Sequence, residues 1–265
     1  MACQANDDTL LEEQLSQPRN PNFEDADGKT PLYVATCHGS LECVHLLIEA
    51  GAQIDQGMTN GEPPLCLAAL KGHLEVVRFL VESGAKKDHG MTDGATPLHA
   101  AALRGHVEVV RCLVENGAKK DLGLTNNGNM PLHLAAQAGQ IEVVRFLVES
   151  GANKDGMTSG GATPLFIAAQ EGHIEVVRCL VESGANKDHC QGRTDGSTPL
   201  VVAAARGHVE VVRFLVESGA NKDQCMAGGA TPLFVAALKG HVEVVRFLVE
   251  SGANKDQSQR DAGAT

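Results

Sequence analysis

The stretch Gly105–Asp121, GHVEVVRCLVENGAKKD, recurs with few changes from Gly72, Gly139, Gly172, Gly207 and Gly240. A looser copy, GSLECVHLLIEAGAQID, starts at Gly39. The prolines Pro31, Pro64, Pro97, Pro131, Pro164, Pro199 and Pro232 follow at steps of 33, 33, 34, 33, 35 and 33 residues. Self-similarity at a fixed period of this length marks a solenoid built from one supersecondary unit.

The unit around Pro97 translates into local structure. Thr96 suits the N-cap of a helix whose first residue is Pro97, where a missing N–H costs nothing. The spacing predicts a short helix over Pro97–Arg104, turning Leu98, Ala101 and Ala102 toward a neighbour and ended by Gly105. It predicts a second helix over Val107–Asn116, with Val109, Val110, Leu113 and Val114 on one face and Gly117 at its end. Isolated helices need about 12–15 residues to persist in water, so one unit cannot fold by itself. It must stack on its neighbours, as in linear repeat proteins.

Thr96-Pro97-Leu98-His99-x-Ala101-Ala102, followed by Gly105-His106-x-Glu108-Val109-Val110 and Gly117-Ala118, resembles the ankyrin repeat. The likeness runs from Gly28 to Asp256. It implies an all-α solenoid of stacked helix–turn–helix units with short β-hairpin or loop fingers. It also implies a recognition surface on the fingers and first helices. The usual finger start of that family, Gly-Ala-Asp-Val-Asn, is here Gly-Ala-Asn-Lys-Asp at Gly151, Gly184, Gly219 and Gly252. The histidine of Pro-Leu-His is kept only at His99 and His133. Tyr33, Cys66, Phe166, Val201 and Phe234 replace it elsewhere, so any inter-repeat bonding through that histidine is lost there.

The expected organisation is one elongated domain. Residues 1–23 form a lead and a half-repeat cap helix near Asp8–Gln17, with Leu10, Leu11 and Leu15 on its apolar side. Residues 24–256 form seven repeats. Residues 257–265 resemble the start of a further repeat, because Asp261–Thr265 matches the finger before Pro232. The chain then reads as a piece of a longer array whose last helix pair exposes an apolar face. The linker containing His189, Cys190, Gln191, Gly192 and Arg193 is the least repeat-like insert, and inserts in such arrays gather on one face.

A formal charge of −11 argues against generic binding to a phosphate backbone. With no Trp and one Tyr, base-stacking platforms are not expected either. No stretch reaches the roughly 18–20 apolar residues of a membrane span, and the N-terminal residues lack the pattern of a signal peptide. A cytoplasmic protein is expected, with the nucleus left open. Cys112 and Cys179 occupy the position of Phe79, Phe146, Phe214 and Phe247, and read as small hydrophobes at a helix interface. Cys190 and Cys225 are one repeat apart, about 10 Å, beyond the roughly 7 Å reach of an unstrained disulfide.

Nothing in the pattern asks for catalysis, a cofactor or a metal. His73, His106, His173, His208 and His241 recur at the turn between helices, too far apart along a stack to share an ion. Glu108, Arg111 and Glu115 recur as an i, i+3, i+7 set that reads as an outer face of helical ion pairs. No phosphate-cradling glycine loop is present.

The units differ most in the two residues after each Ala-Ala or Ala-Thr. These are Cys37-His38, Leu70-Lys71, Leu103-Arg104, Gln137-Ala138, Gln170-Glu171, Ala205-Arg206 and Leu238-Lys239. The resemblance places them along a concave groove. An apolar strip edged by Lys71, Arg104, Arg206 and Lys239, and broken by Glu171, suits a protein surface or an acidic peptide. The small polar finger residues Thr92, Asp93, Asn126, Asn127, Ser159, Thr194 and Asp195 offer little to anchor a partner. Arg193 is the one finger residue of a type favoured at binding hot spots. The expectation is a non-enzymatic module that binds another protein, with self-association through the last repeat also open. A targeting segment of a larger enzyme or receptor, or a structural spacer, are the alternatives.

Overall fold

Four of the seven first helices begin on the same local chemistry. Thr163 has extended backbone, its hydroxyl accepts from the Phe166 N–H at 3.2 Å, and Pro164 follows as the first helical residue. Thr30, Thr198 and Thr231 repeat the arrangement with Tyr33, Val201 and Phe234. Where histidine holds that third position the cap changes. Both the backbone N–H and the hydroxyl of Thr96 approach His99 Nδ1, at 3.2 and 2.8 Å, and the Met130 N–H donates to His133 Nδ1 at 3.1 Å.

The computed structural model describes residues 20–58, 61–190 and 192–254. The cap helix expected at Asp8–Gln17 and the partial finger expected at 257–265 lie outside them. Among the described residues there are fourteen helices in seven pairs and no strand. They are α1 Pro31–His38 and α2 Leu41–Glu49, α3 Pro64–Lys71 and α4 Leu74–Glu82, and α5 Pro97–Arg104 and α6 Val107–Glu115. The chain continues with α7 Pro131–Gln137 and α8 Ile141–Glu149, α9 Pro164–Glu171 and α10 Ile174–Glu182, α11 Pro199–Arg206 and α12 Val209–Glu217, and α13 Pro232–Leu238 and α14 Val242–Glu250. The second helix expected to reach Asn116 ends one residue earlier, at Glu115.

The core repeats with the sequence. Each second helix from α4 to α12 buries a Val-Val pair and the leucine three residues on, as in Val176, Val177 and Leu180. Each first helix from α1 to α11 buries the leucine after proline and the small residues that let helices approach, as in Leu165, Ala168 and Ala169.

The chain divides into two compact units. One comprises the residues up to Ala101 with Glu108–Lys119; the other comprises Ala102–Val107 with Lys120 onward. In the first unit α1 packs on α3 and α2 on α4. In the second, the first helices α7, α9, α11 and α13 pack side by side in that order, and so do the second helices α8, α10, α12 and α14.

Of the two finger forms that the resemblance implied, hairpin or loop, the described residues take the loop. Five of the linkers are tight turns closed by about one backbone rung, such as Met91 N–H to Ala95 O at 3.0 Å or Thr158 N–H to Ala162 O at 2.9 Å. Single bonds link neighbouring fingers, from the Ser159 N–H to Asn127 O at 2.8 Å and from the Ala227 N–H to Asp195 O at 2.9 Å. Isolated rungs do not amount to a ladder, so no strand forms.

Candidate functional site

The first helices of the second unit carry the candidate surface, and helical spacing decides which residues it shows. In α9, Leu165, Ala168 and Ala169 face the core and Phe166 is buried. The remaining face carries Ile167, half-buried, then Gln170, half-buried, and Glu171, exposed, at i, i+3 and i+4. The same face of α11 carries Val202 and Ala205, both half-buried, and exposed Arg206. That of α13 carries half-buried Val235 with exposed Leu238 and Lys239, and that of α7 carries half-buried Leu134 with exposed Gln137. Leu103 and Arg104, in the same unit, are exposed.

The predicted pairs in this unit therefore share one register. In the other unit Leu70 is half-buried rather than open, and Lys71 is exposed. The aliphatic row Leu134, Ile167, Val202 and Val235 was missed by the sequence reading, which attended only to the two residues after Ala-Ala. Its signal is an aliphatic residue three positions before the first of those two, hence on the same helical face.

Arg193 lies elsewhere. Its guanidinium stacks over the Phe166 ring at 4.0 Å from the centroid and makes two 3.0 Å bonds to Asp195, one to each carboxylate oxygen. Asp195 also accepts from the Ser197 N–H at 3.0 Å. The Arg193 hydrogen bond holds the Asp195 carboxyl down, at about 2. The least repeat-like insert is thus tied to the preceding first helix and to its own acid. The other finger-tip acids and amides also bond their own backbone: Asp93 accepts from the Ala95 N–H and Asn127 from the Asn129 N–H.

The repeated polar residues turn out to be ties between units of the array. The turn histidines His173, His208 and His241 donate from Nε2 to Gln137 O, Gln170 O and Ala205 O at 2.9–3.0 Å, and His73 donates to Cys37 O at 3.2 Å. Each fills a carbonyl that the end of a first helix leaves open. The aspartate of each finger start accepts from a backbone N–H of the next. Asp121 takes that of Asn153, Asp155 that of Asn186 and Asp188 that of Asn221, at 2.8–2.9 Å.

The bonding expected to be lost with histidine is partly replaced. His133 Nε2 donates to Gly156 O at 3.0 Å, in the next finger. The Cys66 thiol reaches the equivalent carbonyls of His89 and Ala95 at 3.6 Å, and the Tyr33 hydroxyl donates to Glu62 at 2.8 Å. Burial pushes the Cys66 thiol and the Tyr33 hydroxyl well above their usual ranges.

The outer face is not simply one of helical ion pairs. Arg246 pairs with Glu243 and Arg111 with Glu108. Arg178 and Arg213, however, lie over the Phe214 and Phe247 rings of the next second helix at 4.5 and 4.6 Å. Burial raises the Cys112 and Cys179 thiols at the same position. The raised Cys66 and Tyr33 groups thus belong to contacts between repeats, whereas Asp195 is held within its own finger. Among the described residues no group of three or more His, Cys, Asp or Glu could hold a metal ion. Among the described residues no helix is long and apolar enough to cross a membrane.

Comparisons with known proteins agree with this geometry. A family model described as ankyrin repeats (3 copies) matches residues 1–90, 85–158 and 165–259. Among solved structures, the human ASB11 ankyrin repeat domain is similar with a TM-score of 0.77 and 32% identity, over 85% of this chain and 99% of that one. The ankyrin repeat domain of Bcl-3, a member of the IkappaB protein family, is similar with a TM-score of 0.72 and 30% identity, over 83% of this chain and 99% of that one. A stretch of 43 residues, 16% of this chain, is 46% identical to the potassium channel AKT1 of Arabidopsis thaliana and spans 5% of that protein.

Proposed function

This chain belongs to the ankyrin repeat family, and from that premise we propose that it is a non-enzymatic protein-recognition module. Its partner lies along the first-helix ledge of the second unit, against Leu103, Arg104, Gln137, Gln170, Glu171, Arg206, Leu238 and Lys239. Leu70 and Lys71 give the first unit a shorter surface of the same kind. The observation that carries this reading is the shared register of exposed and half-buried aliphatic residues edged by charge, on helices that in α7, α9 and α11 bury their other faces in packing. Binding to a preorganised scaffold costs little ordering. The reading places the module in the cytoplasm, with the nucleus left open.

The test is a paired affinity capture. One bait is the chain itself; the other carries Arg104→Glu, Arg206→Glu and Lys239→Glu and is checked for equal helicity. A protein held by the first and lost by the second supports the ledge. The same proteins on both baits would move recognition to the fingers, and nothing on either would favour a spacer.

Two further readings each rest on an observation. The matched regions of the solved relatives are named as ankyrin repeat domains, and the match to the potassium channel is a small part of it, so this chain also suits a targeting segment within a larger protein. Separately, Phe234 is 44% exposed and Leu238 71%, whereas the equivalent Phe166 is 3% exposed. That apolar end suits self-association, which sedimentation at increasing concentration tests directly.

A further inference from the structure

We infer that the ledge of the second unit takes a segment in polyproline II conformation with an aliphatic side chain at every third residue and carboxylates at the end lying over α11 and α13. This rests on the recognition reading above and names the partner's chemistry.

The argument starts from the row Leu134, Ile167, Val202 and Val235, one half-buried aliphatic per first helix. Because α7, α9, α11 and α13 pack side by side, these residues recur at the interaxial step, about 8–10 Å. A bound chain must present apolar side chains on one edge at that step. Polyproline II rises about 3.1 Å per residue with three residues per turn, so residues i and i+3 share an edge about 9.3 Å apart. A β-strand fails, since residues three apart point to opposite faces. An α-helix covers the step in about seven residues, or 10.5 Å. Its i+3 and i+4 side chains then fall between first helices, where the row offers no apolar residue.

Polyproline II leaves its own backbone groups unpaired. The exposed Gln137 side chain, with both a donor and an acceptor, is placed to meet them. The charges along the row give the segment a polarity. Glu171 is exposed on α9, whereas Arg206 on α11 and Lys239 on α13 are exposed with no acidic residue in their register. Carboxylates are therefore favoured beside the triplets over α11 and α13 and disfavoured over α9.

The test uses a fluorescent twelve-residue peptide made of two Pro-Gln-Leu triplets followed by two Pro-Glu-Leu triplets, titrated by anisotropy into the full chain. One control replaces glutamate by lysine; another scrambles the same residues so that the period of three is gone. The expected result is saturable binding of the first peptide only. Arg206→Glu with Lys239→Glu should weaken it at least about tenfold, since two exposed attractions become repulsions. Added salt should weaken it further. Ile167→Ala, a residue that the equivalent position Ala100 already carries, should weaken it with the fold intact. Equal binding of the scrambled peptide, or indifference to all three substitutions, overturns the inference. If the peptide fails to bind while a ledge-dependent partner is still captured, the period of three is overturned and the recognition reading stands. If both fail, both are overturned.

Discussion

His208 Nε2 donates to Gln170 O at 2.9 Å while its ring lies flat against Gly172, and the two contacts constrain each other. Gly172 has φ of +79°, and a Cβ placed on it would come within 2.6 Å of His208 Nδ1. The glycine is required both for its backbone conformation and for the ring's approach. His208→Ala should cost about 1 kcal/mol, the worth of one hydrogen bond. Gly172→Ala should cost more, about 1–2 kcal/mol from the left-handed conformation plus the clash. Combined, the two should cost less than their sum, because removing the ring removes the clash but not the strained φ. Urea denaturation of the three variants checks this, and strict additivity would contradict the geometry.

The finger aspartates should behave as acceptors rather than as charges. Asp188→Ala should lose about 1 kcal/mol and free the Asn221 amide, which Asp188 holds at 2.8 Å. Asp188→Asn keeps a carbonyl oxygen there and should retain most of the stability. Hydrogen exchange gives the site-resolved readout, with faster exchange at Asn221 in the alanine variant only.

The Asp195 carboxyl titrates near 2 because Arg193 bonds it on both oxygens. A depressed folded-state value means the tie contributes above the unfolded value, about 3.9, and is lost as pH falls through about 2. Arg193→Gln should return Asp195 toward the ordinary carboxylate range, as read by carbon-detected NMR titration. The stability cost at neutral pH should be a few tenths of a kcal/mol, since the pair is partly exposed. A carboxyl still near 2 in that variant would mean the Ser197 contact sets it.

Cys179 occupies the position at which Phe214 and Phe247 receive a guanidinium. Cys179→Phe should give Arg145, whose charge already acts on that thiol, a ring to lie on. The gain should be about 0.5–1 kcal/mol, and Arg145→Ala should abolish it. Thermal unfolding of the double-mutant cycle decides the matter. In the unaltered chain, burial makes the Cys66 thiol a poor thiolate, so alkylation at neutral pH should leave it untouched until the protein unfolds.

Much of the fold was legible because its signals are local. The Thr-Pro starts, the glycine ends and the Val-Val and Leu spacing act within one helix, where 3.6-residue geometry converts order along the chain into a face. The candidate ledge was half legible. Variation after Ala-Ala pointed to Leu103, Arg104, Arg206, Leu238 and Lys239, yet the row through Ile167 and Val202 appeared only with the burial of each helix face. Arg193 has the residue type of a binding hot spot, but the ring that holds it, Phe166, lies 27 residues earlier in the chain.

The sequence by itself determined the repeat, its helix pairs and the aliphatic core, since period and spacing encode them directly. The tertiary structure decided which partner each repeated side chain takes. Arg178 has Glu175 and Glu182 at helical spacing and lies instead on Phe214, while Arg246, with the same spacing, pairs with Glu243. Phe166 and Phe234 hold the same place in near-identical helices, yet the first is 3% exposed and the second 44%. The physical reason is that Arg178 and Phe166 each meet a group of the following repeat, a ring in one case and a finger residue in the other, set by residues about thirty positions away. Spacing within a single unit carries no record of what packs against its outer face.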